Sequence, residues 1–283
     1  MVGQHDVKLV SARRVMERTN DMGEAGAMGK LKNGLMTIAA LAASPALAQQ
    51  LCPTATSQPQ ADGRMFNHLP YAETNGAIMQ PAPPSISPDG SCKVHPAIVA
   101  DLMRMAADAD RDPMIAGQLR ALSCWRGTEY QRMVFCNGIH IGLMQRAQTS
   151  APPGYSEHAT GYVIDFGTAN PGDCPNIEGC FAASPVGQWL LKNAPRYGFE
   201  LSFPAGSKQR VTWEPWHWRW VGTSGGVPGA ASARAVFARA RAEYPASPSP
   251  QEAPLVIRVM SQPENPNAGK PPPAPEEKRK RRR

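Results

Sequence analysis

An aspartate set inside an apolar run constrains this chain more than any other feature. Residues 162–166 read Tyr-Val-Ile-Asp-Phe. Such a run predicts a short buried strand with Val163 and Asp165 on one face and Tyr162, Ile164 and Phe166 on the other. A carboxylate buried there is costly unless a cation or strong donors oppose it. One partner is close in sequence: His158, in Ser-Glu-His-Ala-Thr-Gly (156–161). Seven extended residues span roughly 23 Å, so the two side chains meet only if the chain bends. Gly161 is the expected bend, because glycine takes backbone angles closed to other residues.

The surrounding pattern predicts an α+β domain. A helix is expected from Pro96 to about Asp108, with Ile98, Val99, Leu102, Met105 and Ala106 on one face. Leu119–Trp125 alternates like a strand, and Thr128–Asn137 reads as a helix. Ser184 and Pro185 supply an N-cap and first-turn proline for a helix through Asn193, stopped near Pro195 and Gly198. Phe199–Phe203 and Arg210–Val221 read as strands, the second interrupted at Pro215. Trp216, Trp218 and Trp220 alternate there as one core-facing side, with a sugar-stacking platform as the alternative use. An alanine/arginine helix is expected over Ala230–Tyr244. No βαβ rhythm is present, so the sheet is expected to be small and mainly antiparallel, flanked by helices.

Residues 49–63 read as an extended leader, 64–245 as a single catalytic domain with its motifs in 119–220, and 246–283 as a Pro-rich, basic, disordered tail. Only Leu255–Met260 within that tail resembles a strand. Upstream, Met28-Gly-Lys-Leu-Lys is a basic n-region, Leu35–Ala43 an apolar run, and Ala46-Leu-Ala48 a cleavage pattern. Residues 1–48 are therefore expected to be an extension plus a secretory signal, with Met28 an alternative start. The apolar run is shorter than the roughly 20 residues a membrane span needs, so no transmembrane anchor is expected after cleavage. The expected location is periplasmic or secreted.

All six cysteines lie after that cleavage pattern, which suits an oxidising compartment and structural disulfides. The expected pairs are Cys124–Cys136, Cys174–Cys180 and Cys52–Cys92. The net charge of +7 is misleading. The terminal KRKRRR carries six positive charges and residues 1–48 a further net two, leaving the body close to neutral. That excludes a basic nucleic-acid binder. The tail reads equally as a contact for anionic envelope components and as a solvated end.

His158 and Asp165 are two of the three protein ligands a hydrolytic zinc site takes, the fourth position being left for water. A third ligand with a neighbouring base is expected elsewhere. Glu214-Pro-Trp-His217 supplies one, with Pro215 permitting a bend that turns Glu214 and His217 to one cavity. His68, His95 and His140 lack ligand-like spacing. No G-x-S-x-G elbow supports a serine triad, and no S-x-x-K supports a serine penicillin-binding mechanism.

Taken together, S-x-H-x-x-G-x-x-x-D (156–165) followed by E-x-W-H (214–217) resembles the VanY-type zinc D-Ala-D-Ala carboxypeptidases. Their wider group also holds lysostaphin-like peptidases and hedgehog domains. Ser123-Cys-Trp-Arg126-Gly-Thr-Glu-Tyr-Gln131 is similar to the family's S-G-Y-R-S-x-x-x-Q segment. Cys124, Trp125, Gly127 and Val163 depart from that pattern, and none is an expected ligand. The resemblance implies that His158, Asp165 and His217 bind Zn2+ and that Glu214 is the general base. It further implies that Arg126 contacts the scissile carbonyl, while Ser156 and Gln131 help hold the peptide end. The implied substrate is a peptidoglycan stem peptide. An endopeptidase with the same zinc chemistry is the nearest alternative, and a non-catalytic cell-wall binding module the next.

Overall fold

The computed structural model describes residues 47–251. Most of the expected signal segment, the stretch 255–260 and the KRKRRR end lie outside the described residues. Gln49–Cys52 (β1) and Ala55–Ser57 (β2) pair as an antiparallel hairpin where an extended leader was expected. Gln80–Pro81 (β3) and Lys93–Val94 (β4) form a second short antiparallel pair. A 3-10 turn over Pro96–Ile98 leads into Val99–Arg111 (α1), and Leu119–Ser123 (β5) follows. Next come Thr128–Cys136 (α2), Leu143–Thr149 (α3) and Val163–Thr168 (β6). Pro185–Asn193 (α4), Phe199–Leu201 (β7), His217–Trp220 (β8), Ala230–Val236 (α5) and Ala238–Glu243 (α6) complete the order.

The central sheet has four strands in the order β5-β6-β8-β7, antiparallel throughout. Mixed helices around small antiparallel sheets give the expected α+β class. Ile164, Phe166, Trp218 and Trp220 are fully buried, and their core also takes in Leu102, Met105 and Ala106 from α1. By area, each buried tryptophan contributes on the order of 4–6 kcal/mol. Trp220 remains satisfied in this core because its indole N–H donates to Asp101 at 2.9 Å. Ser184 accepts from the Gly187 amide and caps α4, with Pro185 in its first turn.

Several expectations need correction. Arg210–Val221 is a strand only over His217–Trp220. Upstream, the Thr212 amide donates to the Gln148 carbonyl and the Glu214 amide to the Phe203 carbonyl, and Pro215 has no N–H for a ladder. Trp218 and Trp220 are core residues, whereas Trp216 is only half-buried. The strand at Phe199 stops at Leu201 rather than Phe203. The last helix is broken at Phe237, whose φ −95 and ψ 9 leave the α region. Helix α3 lies where no element was expected.

The disulfides are Cys52–Cys136, Cys92–Cys124 and Cys174–Cys180. Only the last matches expectation. Cys136 closes α2 and pairs with β1, across 84 residues, instead of with Cys124. Constraint of a loop that long in the unfolded chain is worth about 4–5 kcal/mol in the chain-entropy picture. A small cluster of Leu51, Met65, Phe135, Ala147 and Tyr155 packs beneath this bridge.

Candidate active site

Sheet register brings the first two groups together. Asp165 on β6 lies directly opposite His217 on β8, and opposed residues of an antiparallel pair point to the same face. His217 Nδ1 is 3.0 Å from Asp165 Oδ1. The third group arrives from a 3-10 turn over Glu157–Thr160 that ends at Gly161, with φ +77. That left-handed glycine is the bend the spacing required, and a Cβ there would lie 2.7 Å from Met79 Sδ. His158 Nε2 consequently sits 3.1 Å from Asp165 Oδ2. One ligand atom from each of His158, Asp165 and His217 falls within 4.8 Å of the others, and all three residues are buried.

Hydrogen bonding fixes which nitrogens face inward. His158 Nδ1–H donates to the Cys124 carbonyl at 2.7 Å, because a carbonyl can only accept. Burial, followed by the nearby charge of Arg126, pushes His158 down to about 4, so the ring is neutral and Nε2 carries a lone pair. That buried atom has no hydrogen-bond partner of good geometry and faces the Asp165 carboxylate. Two acceptors this close need a proton or a cation between them. His217 is oriented the same way: its Nε2–H donates to Glu157 at 3.1 Å, leaving Nδ1 toward Asp165. Burial depresses His217, but hydrogen bonds to Asp165 and Glu157 outweigh it and raise the ring to about 10. Asp165 itself is held well below the usual carboxylate range, its burial overcome by His158 and His217.

Sequence reasoning missed the residues that hold this arrangement from behind. Glu157 is buried and accepts from four groups. Its Oε2 takes the His217 ring N–H and the Ser202 hydroxyl, at 2.7 Å; its Oε1 takes Arg219 at 2.8 Å and the Tyr71 hydroxyl at 3.1 Å. Arg219 also donates from Nε to Glu200 at 2.7 Å. Charge attraction to Arg219 and the bond from His217 overcome burial and keep Glu157 ionised. One signal was present in the sequence: Arg219 stands between two core tryptophans, where an unpaired cation would be untenable.

A cavity of about 340 Å³ opens onto the trio and is also lined by Glu214, Arg126 and Ser156. Glu214 Oε2 is 3.6 Å from His217 Nδ1, and burial raises its carboxyl to about 8. Arg126 reaches the cavity from the loop after β5, where its amide donates to the His158 carbonyl at 3.2 Å. Its Nε is buried and unpartnered. Gln131 is placed differently. Its amide donates to the Ala151 carbonyl at 2.7 Å, and the residue does not line the cavity.

Two imidazoles and a carboxylate, with a glutamate alongside, are the donor set of a mononuclear metal-dependent hydrolase. The family model for VanY, D-alanyl-D-alanine carboxypeptidase, matches residues 91–223. YodJ of Bacillus subtilis (strain 168), a putative carboxypeptidase by name, is 32% identical over 127 residues, 44% of this chain and 45% of its own length. A D-alanyl-D-alanine carboxypeptidase of Enterococcus faecium is 36% identical over 78 residues, 27% of this chain and 23% of its own. The chain thus spans less than half the length of either relative. A mutant of the D,D-pentapeptidase VanY from a VanB-type resistance cassette, solved with Zn(II), shares 21% identity. That match covers 62% of this chain and 94% of the other, with a TM-score of 0.41.

Proposed function

We propose that this chain is an exported zinc D,D-carboxypeptidase that removes the terminal D-alanine from peptidoglycan stem peptides. The observation that carries the proposal is the convergence of His158, Asp165 and His217 beside Glu214 in one cavity. Inward-facing nitrogens of two imidazoles and one carboxylate suit Zn2+, which His158, Asp165 and His217 would hold, with the His217 ring giving up its Nδ1 proton. When bound, zinc supplies Lewis acidity and brings the pKa of water to about 7. Glu214, which a divalent cation beside it would hold ionised, would accept the water proton and pass it to the leaving amine. The guanidinium of Arg126, whose Nε has no protein partner, stabilises the carbonyl oxygen as negative charge develops. Ser156 borders the same space and can donate to the bound peptide. Three disulfides and a signal-like segment upstream support export to a periplasmic or extracellular site. No helix among the described residues is long and apolar enough to cross a membrane.

The test is incubation of the mature chain with a D-Ala-D-Ala-terminated peptide. D-alanine release is expected, with loss on chelation and recovery on adding zinc. Glu214→Gln is expected to retain zinc while turnover falls by at least roughly 100-fold, the scale of a general base. Release indifferent to chelator rules the mechanism out.

A further inference from the structure

The cavity has a cationic end that the chemistry described so far does not use. Arg146, on α3, lines it together with Arg126 and Thr149. Its guanidinium is not free to swing. Nε donates to the Phe135 carbonyl at 3.1 Å and Nη2 to the Val134 carbonyl at 2.7 Å, both in the last turn of α2. The remaining nitrogen, Nη1, lies 3.4 Å from the Thr149 hydroxyl, which also lines the cavity. A Cβ on Gly138 would come within 2.7 Å of this side chain, so the packing around it is close.

Two carbonyls orient this cation without neutralising it. Among the described residues neither Arg146 nor Arg126 forms an ion pair, whereas Arg219 nearby pairs with both Glu157 and Glu200. The two unpaired arginines also oppose each other: burial first, then the charge of Arg126, lowers Arg146 from its ordinary value. The carboxylates of Asp165 and Glu214, neither paired with an arginine among the described residues, line the same cavity beside His158 and His217. One cavity therefore combines an anionic cluster, which a divalent cation would balance, with two unbalanced cations. An anion on the substrate would balance those. A peptide ending in a free carboxylate carries that anion one residue beyond its last carbonyl, whereas an internal peptide bond does not.

We propose that Arg146 is a specificity-determining residue that receives the C-terminal carboxylate of the substrate, so that the site selects chain ends over internal bonds. This rests on the carboxypeptidase reading above. Arg146 thereby takes the role expected of Gln131, which is committed to the Ala151 carbonyl and lies off the cavity.

The experiment compares the zinc-loaded protein on one acyl-D-Ala-D-Ala peptide as the free acid and as the C-terminal amide. The wild type is expected to prefer the acid. Arg146→Gln, which can still donate to an α2 carbonyl, is expected to reduce that preference by roughly 10–100-fold, mainly through KM, the scale of a charge-assisted hydrogen bond. Arg146→Lys keeps the charge but not the fixed fork, and an intermediate preference is expected. A merely structural arginine would change stability and leave the acid-to-amide ratio alone; an unchanged ratio in both variants overturns the proposal. Binding of the two peptides, read by calorimetry, separates the readings. Acid-selective binding that Arg146→Gln abolishes, without turnover in the wild type, keeps the carboxylate seat and sinks the carboxypeptidase. Equal binding of acid and amide by the wild type sinks the seat.

Discussion

At the scale of residues, the closeness of His158, Asp165 and His217 was legible because metal chemistry asks for such residue types and spacing together. His158, Asp165, Glu214 and His217 each have a chemical reason to stand where they do in the sequence. Glu157 does not. It stands inside the same motif, but its meaning depends on the cross-strand placement of Arg219 and on Ser202 and Tyr71 arriving from distant segments. Its structural role yields a sharp expectation. Glu157→Gln retains a side chain of similar shape but can present an N–H to His217 where an acceptor is required, so the ring loses its fixed tautomer. Zinc affinity, measured by chelator competition, is expected to fall by about 10–100-fold, the usual cost of losing an outer partner of a ligand histidine. Affinity unchanged in a folded Glu157→Gln protein would deny it that role.

Elements were legible where local signals agree and illegible where tertiary contacts decide. Ser184-Pro185 announced α4, and the apolar spacing after Pro96 announced α1. The alternating tryptophans correctly placed β8 but suggested a longer strand than exists, since residues 210–216 bond to Gln148 and Phe203 rather than to a ladder. Helix α3 buries only Ala147, too little for an amphipathic pattern to announce it. Gly161 joins the 3-10 turn of His158 to β6 in a left-handed conformation that disfavours any side chain, and a Cβ there would also displace the flexible end of Met79. Gly161→Ala is expected to cost about 1–2 kcal/mol from the left-handed backbone alone. A lowered melting temperature together with weaker zinc retention is the expected signature; a melting temperature equal to wild type would contradict it.

Over the whole molecule, the antiparallel α+β class followed from composition and rhythm, but the disulfide map did not. Proximity in sequence favoured Cys124–Cys136, while the fold carries α2 to the β1 hairpin and leaves Cys124 beside β4. A further tie between distant parts is His68, buried at 5% exposure, whose Nε2–H donates to the Ala147 carbonyl at 2.6 Å. Burial lowers its pKa below the ordinary 6.5. The folded state thus binds the proton less readily than the unfolded chain, so this contribution is complete above about 6.5 and is lost as pH falls toward the folded value. Denaturant titrations at pH 7.5 and at about pH 5 are expected to show a loss of stability that His68→Gln reduces. The Cys92–Cys124 bridge has another consequence. Cys124 is the residue whose carbonyl orients His158, and its side chain is bonded to Cys92, the residue before β4. In a newly made chain whose thiols are still reduced, the segment behind His158 would be held without this cross-link, by backbone bonds such as Trp125 N–H to the Lys93 carbonyl. Oxidation is therefore expected to stiffen the backing of His158. Mild reduction is expected to weaken zinc retention before the helical signal in circular dichroism is lost, and reoxidation to restore it.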